Sequence, residues 1–135
     1  MCNFEFFDTI PWLNTDKTIK DIVINDGITS IGDYAFRYLN FNTITLPNSL
    51  KTIGMYAFWQ CYIIKSINLP NGLKSIGFSA FYQCKDIESI NLPNSLEFID
   101  SYAFYECSHL YSITLPDGLN NFGNSIFAKC INLKT

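Results

Sequence analysis

The chain is poor in the groups that carry out chemistry. One histidine in 135 residues leaves little for acid–base catalysis. Charged residues make up only 16%, and the nine lysines and arginines are scattered. They are too few to coat a nucleic-acid groove or to hold an anionic membrane. No uninterrupted apolar run nears the roughly 20 residues of a membrane span. A G-x-G-x-x-G fingerprint, a phosphate loop and a G-x-S-x-G elbow are all missing. The acidic residues are dispersed and form no paired-carboxylate motif. Asparagine is plentiful, yet no Asn-x-Ser/Thr sequon occurs, which weighs against a glycosylated secretory history. Met1 to Asp8 has neither the basic start nor the roughly 7–15-residue apolar core of a signal peptide, and Glu5 and Asp8 interrupt it. Taken alone, the sequence reads as cytoplasmic. What it has in quantity is apolar: 48% hydrophobic residues, 12 Phe and 8 Tyr, with a formal charge of −3. These counts predict one soluble, acidic, core-rich domain.

Periodicity is the main signal, and repeats are sought before local structure. Prolines stand at Pro47, Pro70, Pro93 and Pro116, 23 residues apart. Cysteines follow the same step at Cys61, Cys84, Cys107 and Cys130, and phenylalanines at Phe58, Phe81, Phe104 and Phe127, with Phe36 one residue early. Ala35, Ala57, Ala80, Ala103 and Ile126 precede the phenylalanines. Glycine recurs at Gly32, Gly54, Gly77 and Gly123, with Asp100 as the exception. Aliphatic files fill the rest, for example Ile22, Ile44, Ile67, Ile90 and Ile113, or Ile28, Leu50, Leu73, Leu96 and Leu119. A further inward file runs Ile31, Ile53, Ile76, Ile99 and Phe122. The first copy is one residue short, between Leu39 and Phe41, and Leu39 stands where later copies have cysteine.

Each part of the unit has a physical translation. Ile67-Asn68-Leu69-Pro70 alternates apolar and polar residues, the period of a short strand. Pro70-Asn71-Gly72 is turn chemistry, because proline presets φ and the next two residues tolerate the corner. L-x-x-I-G returns the chain along a second side. G-x-x-A-F-x-x-C has apolar spacings of three and four, which predicts a short α or 3₁₀ turn. Stacked coils would then pair their strands in parallel at about 4.8 Å per coil and line up identical side chains inside. No coil closes a core alone, so stability would come from neighbours.

The unit I-G-x-x-A-F-x-x-C followed by L-x-x-I-x-L-P resembles the BspA-type leucine-rich repeat, over roughly Ile19 to Leu133. The stretch Ile22 to Phe36 is similar to that family's first repeat. Pro11-Trp12 upstream resembles its N-terminal cap, in which a tryptophan covers the first coil. The resemblance implies a non-enzymatic role, often as a microbial surface protein that binds host or partner proteins. It thus points to the cell surface, against the missing leader. It also implies that the repeat cysteine serves as a small buried hydrophobe.

The predicted fold is a right-handed leucine-rich-repeat solenoid. Each coil of about 23 residues would carry a short parallel strand and a short helical or 3₁₀ turn. Residues 1–18 are read as a cap segment and 19–135 as about five coils with an uncapped C-terminal end. Ile131 to Thr135 begins another strand and stops, which opens self-association through that end as an alternative to a frayed or truncated terminus.

Candidate sites follow from this layout. Neighbouring repeat cysteines would bring their Cα atoms to about 5 Å, within disulfide reach. Their side chains would point the same way, so free buried thiols are expected, with Cys2 a terminal thiol. A row at 23-residue spacing is no metal-finger pattern, and no metal or cofactor is expected. Cys107-Ser108-His109 is the only Cys-x-His, a weak candidate for nucleophilic catalysis against a core cysteine beside a surface histidine. No catalytic residue is assigned. Thr43, Ser66, Ser89 and Ser112, with Thr45, Asn68, Asn91 and Thr114, form two outward ranks on the concave strand face. They are either a binding face or a merely solvated one, and they lack the aromatic or arginine anchors of a specific interface. Their regularity also raises ice or glycan binding as a minor reading. Lys20, Asn42, Lys65, Glu88 and Tyr111 flank them. On the convex side Trp59, Tyr82 and Tyr105 follow the Ala-Phe pair, between Arg37 and Ala128, and make the leading contact patch. The competing reading is that they pack on one another along the solenoid. The expected partner is a protein, with no nucleic acid and no membrane insertion.

Overall fold

The computed structural model describes residues 20–134. The expected cap with Pro11 and Trp12, Cys2 and Ile19 lie outside the described residues. Ten short strands come two to a coil: β1 (Asp21–Val23) and β2 (Ser30–Ile31), β3 (Thr43–Thr45) and β4 (Thr52–Ile53), β5 (Ser66–Asn68) and β6 (Ser75–Ile76), β7 (Ser89–Asn91) and β8 (Phe98–Ile99), β9 (Ser112–Thr114) and β10 (Asn121–Phe122). Every paired strand is parallel, and equivalent residues face each other across coils: Ile67 opposite Ile90, Ile53 opposite Ile76. The repeat read along the chain is therefore the register of the sheets.

The I-x-L-P segment behaves as its alternation dictates. Ser66 and Asn68 are exposed while Ile67 and Leu69 are buried. Each repeat proline closes the following turn through its carbonyl, which accepts from the leucine three residues on, as in Leu73 N–H to Pro70 O at 3.0 Å. The even strands form one continuous five-stranded sheet. The odd strands divide into β1–β3 and β5–β7–β9. The break falls where the one-residue-short connector after Leu39 meets the longer Cys61–Lys65 connector of the next coil.

The expected helical turn is replaced by a different device. Among the described residues none is helical, and the G-x-x-A-F-x-x-C stretch is a run of tight turns. Two residues per coil, four apart, hold left-handed φ values: Tyr34 and Tyr38, Tyr56 and Gln60, Ser79 and Gln83, Tyr102 and Glu106, Ser125 and Lys129. Each switch in handedness turns the peptide plane, so donors alternate in aim. In the third coil the amides of Ala80, Tyr82 and Cys84 close turns to Gly77, Ser79 and Phe81. The amides of Ser79, Phe81 and Gln83 instead reach the carbonyls of Ser101, Ala103 and Tyr105 in the next coil at 2.8–3.0 Å. A helix would spend all these amides within one coil and leave this wall without hydrogen bonds between coils. Apolar spacings of three and four suit both arrangements, which is why the pattern misled.

The core is a set of files. Phe36, Phe58, Phe81, Phe104 and Phe127 stack with centroids 5.0–5.7 Å apart and planes within 12°. Burying each inner ring contributes roughly 1.5–3 kcal/mol, and stacking adds about 0.5–1.5 kcal/mol per pair. Beside them stand Ile64, Ile87 and Leu110, all fully buried, with Phe41 at the head of the file. The glycine file lets adjacent backbones meet: a Cβ on Gly77 would lie 2.7 Å from the Gly54 carbonyl carbon. Two positions read as buried lie open at the ends of the described solenoid. Ile28 is 46% exposed and Phe122 50%, because no described coil covers them.

Candidate functional site

The repeat places Trp59, Tyr82 and Tyr105 on the turn wall, one residue after each buried phenylalanine. They are half-buried, and they both face outward and pack on one another. Tyr82 and Tyr105 stack at 4.7 Å, Trp59 meets Tyr82 edge-on at 6.3 Å, and Tyr38 leans on Trp59 at 5.1 Å. A second aromatic rank, not singled out from the sequence, runs alongside. Tyr34 stacks on Tyr56, Tyr56 meets Phe78, and Phe78 meets Tyr102, at 5.1–5.7 Å. The first-coil tyrosines carry the Arg37 guanidinium, 4.7 Å from the Tyr34 centroid.

Between the two ranks lies an open groove of about 590 Å³. The aromatic file along it carries one exchange. The equivalents of Tyr34, Tyr56 and Tyr102 include Ser79, which is 2% exposed, and Phe78 leans in from the neighbouring position. Trp59 lines the groove, while its Nε1 is turned in, shut from water and without an acceptor. Burial pushes the Tyr56 and Tyr82 phenols above their usual range, so both remain protonated donors at neutral pH. At the C-terminal end the Lys129 ammonium sits 5.2 Å over the Tyr105 ring. The Gln60, Gln83 and Glu106 side chains form a hydrogen-bonded ladder along one edge, at 2.6 and 3.0 Å. The Gln83 amide holds the Glu106 carboxyl below the usual carboxylate range.

On the face of the odd strands the two outward ranks point to solvent. Thr43, Thr45, Ser66, Asn68, Asn91, Ser112 and Thr114 are exposed, with Ser89 half-buried. Thr43 donates to Asp21 at 2.6 Å, tying two of its coils. The flanking residues Lys65, Glu88 and Tyr111 join Asp86 and His109 around a cleft of about 340 Å³, with His109 Nδ1 3.2 Å from Asp86 Oδ1.

The Cys107–His109 candidate does not come together. Cys107 is fully buried and its thiol donates to the Phe81 carbonyl at 3.3 Å, whereas His109 is exposed against Asp86. All four repeat cysteines are free thiols that donate to a phenylalanine carbonyl of the preceding coil at 3.0–3.3 Å. Burial pushes Cys84 up to about 12 and Cys61 well above its usual value. Cys107 is raised by its hydrogen bond with Cys130 and by burial. Among the described residues no group of three or more His, Cys, Asp or Glu could hold a metal ion, and no helix is long and apolar enough to cross a membrane.

The missed residues were within reach of the period. Tyr34, Tyr56 and Tyr102 share one repeat position, and Asp86 and His109 stand 23 apart. Phe78 was not, because it fills its neighbour's place.

The model of the BspA type leucine-rich repeat region, in six copies, matches residues 13–134. A T. pallidum leucine-rich repeat protein is similar in structure, with a TM-score of 0.74 and 28% identity over 84% of this chain. A Bacteroides ovatus leucine-rich repeat protein gives 0.66 and 28% over 85%. The pneumococcal vaccine antigen PcpA gives 0.64 and 23% over 85%, a likeness of fold. The chain spans 64%, 36% and 38% of these three proteins. No curated protein matches the sequence.

Proposed function

This chain belongs to the BspA-type leucine-rich repeat family, and from that footing we propose that it is a non-enzymatic protein-binding scaffold, acting at a microbial surface. The observation that carries the reading is the groove flanked by Trp59, Tyr82 and Tyr105. Half-buried Tyr and Trp on a rigid wall offer contact area at little entropic cost, which is the composition of an interface. The concave ranks Thr43, Thr45, Ser66, Asn68, Ser89, Asn91, Ser112 and Thr114 supply no such anchors and serve as the secondary face.

Pull-down from native extract with three baits tests the assignment. The wild type and Ser66→Lys/Ser89→Lys are expected to retain a shared partner, and Trp59→Ala/Tyr82→Ala/Tyr105→Ala to lose it. The reverse pattern transfers binding to the concave face, and retention by all three removes both surfaces.

A second reading is self-association through the last described coil, where Phe122 is 50% and Ile131 79% exposed. Light scattering over a dilution series tests it. Growth in mass with concentration supports it, and a constant monomer mass removes it.

A further inference from the structure

We infer that the solenoid carries a hinge between its second and third coils, which opens along the wall of odd strands while the turn wall and the even sheet hold.

The rungs of the odd-strand wall locate it. Just before each odd strand one backbone bond recurs from coil to coil. Asn42 N–H reaches Lys20 O, Glu88 reaches Lys65, Tyr111 reaches Glu88 and Lys134 reaches Tyr111, at 2.8–3.1 Å. The series lacks one member, Lys65 N–H to Asn42 O. Strands β3 and β5 do not pair. Among the described residues no hydrogen bond, from backbone or side chain, joins residues 40–46 to residues 62–69. The cause is length. The chain advances eight residues from Phe36 to Ile44 and nine from Phe58 to Ile67. Connectors of unequal length cannot run in step, so their amides and carbonyls miss one another.

The same junction is tight on its other two walls. The amides of Tyr56, Phe58 and Gln60 reach the carbonyls of Phe78, Ala80 and Tyr82 at 2.7–2.9 Å. Phe58 and Phe81 stand 5.0 Å apart, the shortest step in their file. The Gln60 side-chain amide donates to Gln83 at 2.6 Å, and β4 pairs with β6 in register. Two bonded walls and one free wall make a hinge, because only a splay of the free wall breaks no hydrogen bond. Asn42 and Lys65 are exposed, so water satisfies the groups left over there and the gap is tolerated at rest.

The motion has a defined effect. It carries Thr43 and Thr45 away from Ser66 and Asn68 and changes the curvature of the odd-strand face. The turn wall, with the aromatic groove, lies at the pivot and keeps its bonds. A partner seated across the two ranks would select one setting of the hinge.

Methyl relaxation dispersion on the full chain tests the proposal, with the isoleucine δ1 methyls labelled. Ile44 and Ile67 stand on either side of the break, whereas Ile67 and Ile90 belong to paired strands. Ile53 and Ile76 are paired across the same junction on the even sheet. Exchange on the μs–ms scale of collective hinge motion is expected at Ile44 and Ile67, several-fold larger than at Ile53, Ile76 and Ile90. Two variants move the mismatch. One asparagine inserted between Asn40 and Phe41 equalises the connectors and should quiet Ile44 and Ile67. Deletion of Ile63 shortens the second connector to match the first, so exchange should leave Ile44 and appear at Ile90. A single cooperative melt identifies a folded variant. Flat profiles at Ile44 and Ile67 in the wild type overturn the proposal, as does exchange of equal size along the whole file. Exchange that stays at Ile44 in either folded variant overturns it too. Where neither variant folds, the wild-type comparison alone decides.

Discussion

Ten left-handed residues, none of them Gly or Asn, make the turn wall work. An L-residue in that region crowds its own Cβ, and a β-branched one crowds it most. At exposed Ser125, φ 55°, Ser125→Val should cost about 1–2 kcal/mol in a denaturant melt, while Ser125→Asn stays within a few tenths. The thiol file gives a second expectation. Native Cys61, Cys84 and Cys107 should resist iodoacetamide at pH 8, and all three should react once guanidinium unfolds the chain. Folding favours the neutral Cys84 thiol, whose value lies above its unfolded one. Its contribution is complete below about pH 9 and is lost as the pH rises toward 12. The loss over that window is read as a falling melting temperature.

Between elements, the close approach of coils sets the limits. Gly77→Ala would press a Cβ onto the backbone of Gly54 and Met55 and should cost about 1–3 kcal/mol, seen as a lower denaturation midpoint. Most of this layer was legible in the sequence. Files of Ile, Leu, Phe and Pro at a fixed period leave one way for coils to superimpose, so the strands, their register and the outward ranks follow. The turn wall was not legible, since Ala35, Phe36 and Leu39 sit at intervals that a helix and a chain of tight turns share. The difference lies in backbone handedness at Tyr34 and Tyr38, which no side chain announces. Half of the candidate site was read from Trp59, Tyr82 and Tyr105. Its lining also includes Ser79 and Phe78, where a ring one place earlier takes the tyrosine's position, an exchange that a position-by-position period does not register.

For the molecule as a whole, stability is a sum over neighbouring coils. Phe81, stacked on both sides, should cost about 3–5 kcal/mol on truncation to alanine. Half-buried Phe127 has one described ring neighbour and should cost less than about 2 kcal/mol. Urea melts of Phe81→Ala and Phe127→Ala compare them directly, and equal losses would contradict nearest-neighbour behaviour. The turn wall has one more consequence. Its inter-coil amides all point the same way, from Phe36 to Ala57, Phe58 to Ala80, Phe81 to Ala103 and Phe104 to Ile126. The second strand of each coil runs the other way, with the amides of Lys51, Lys74 and Glu97 donating back to Thr29, Lys51 and Lys74. An inner coil is thus tied by its own amides to both neighbours, through one wall forward and through the other back, and it cannot be pulled from the stack without stranding donors on two faces.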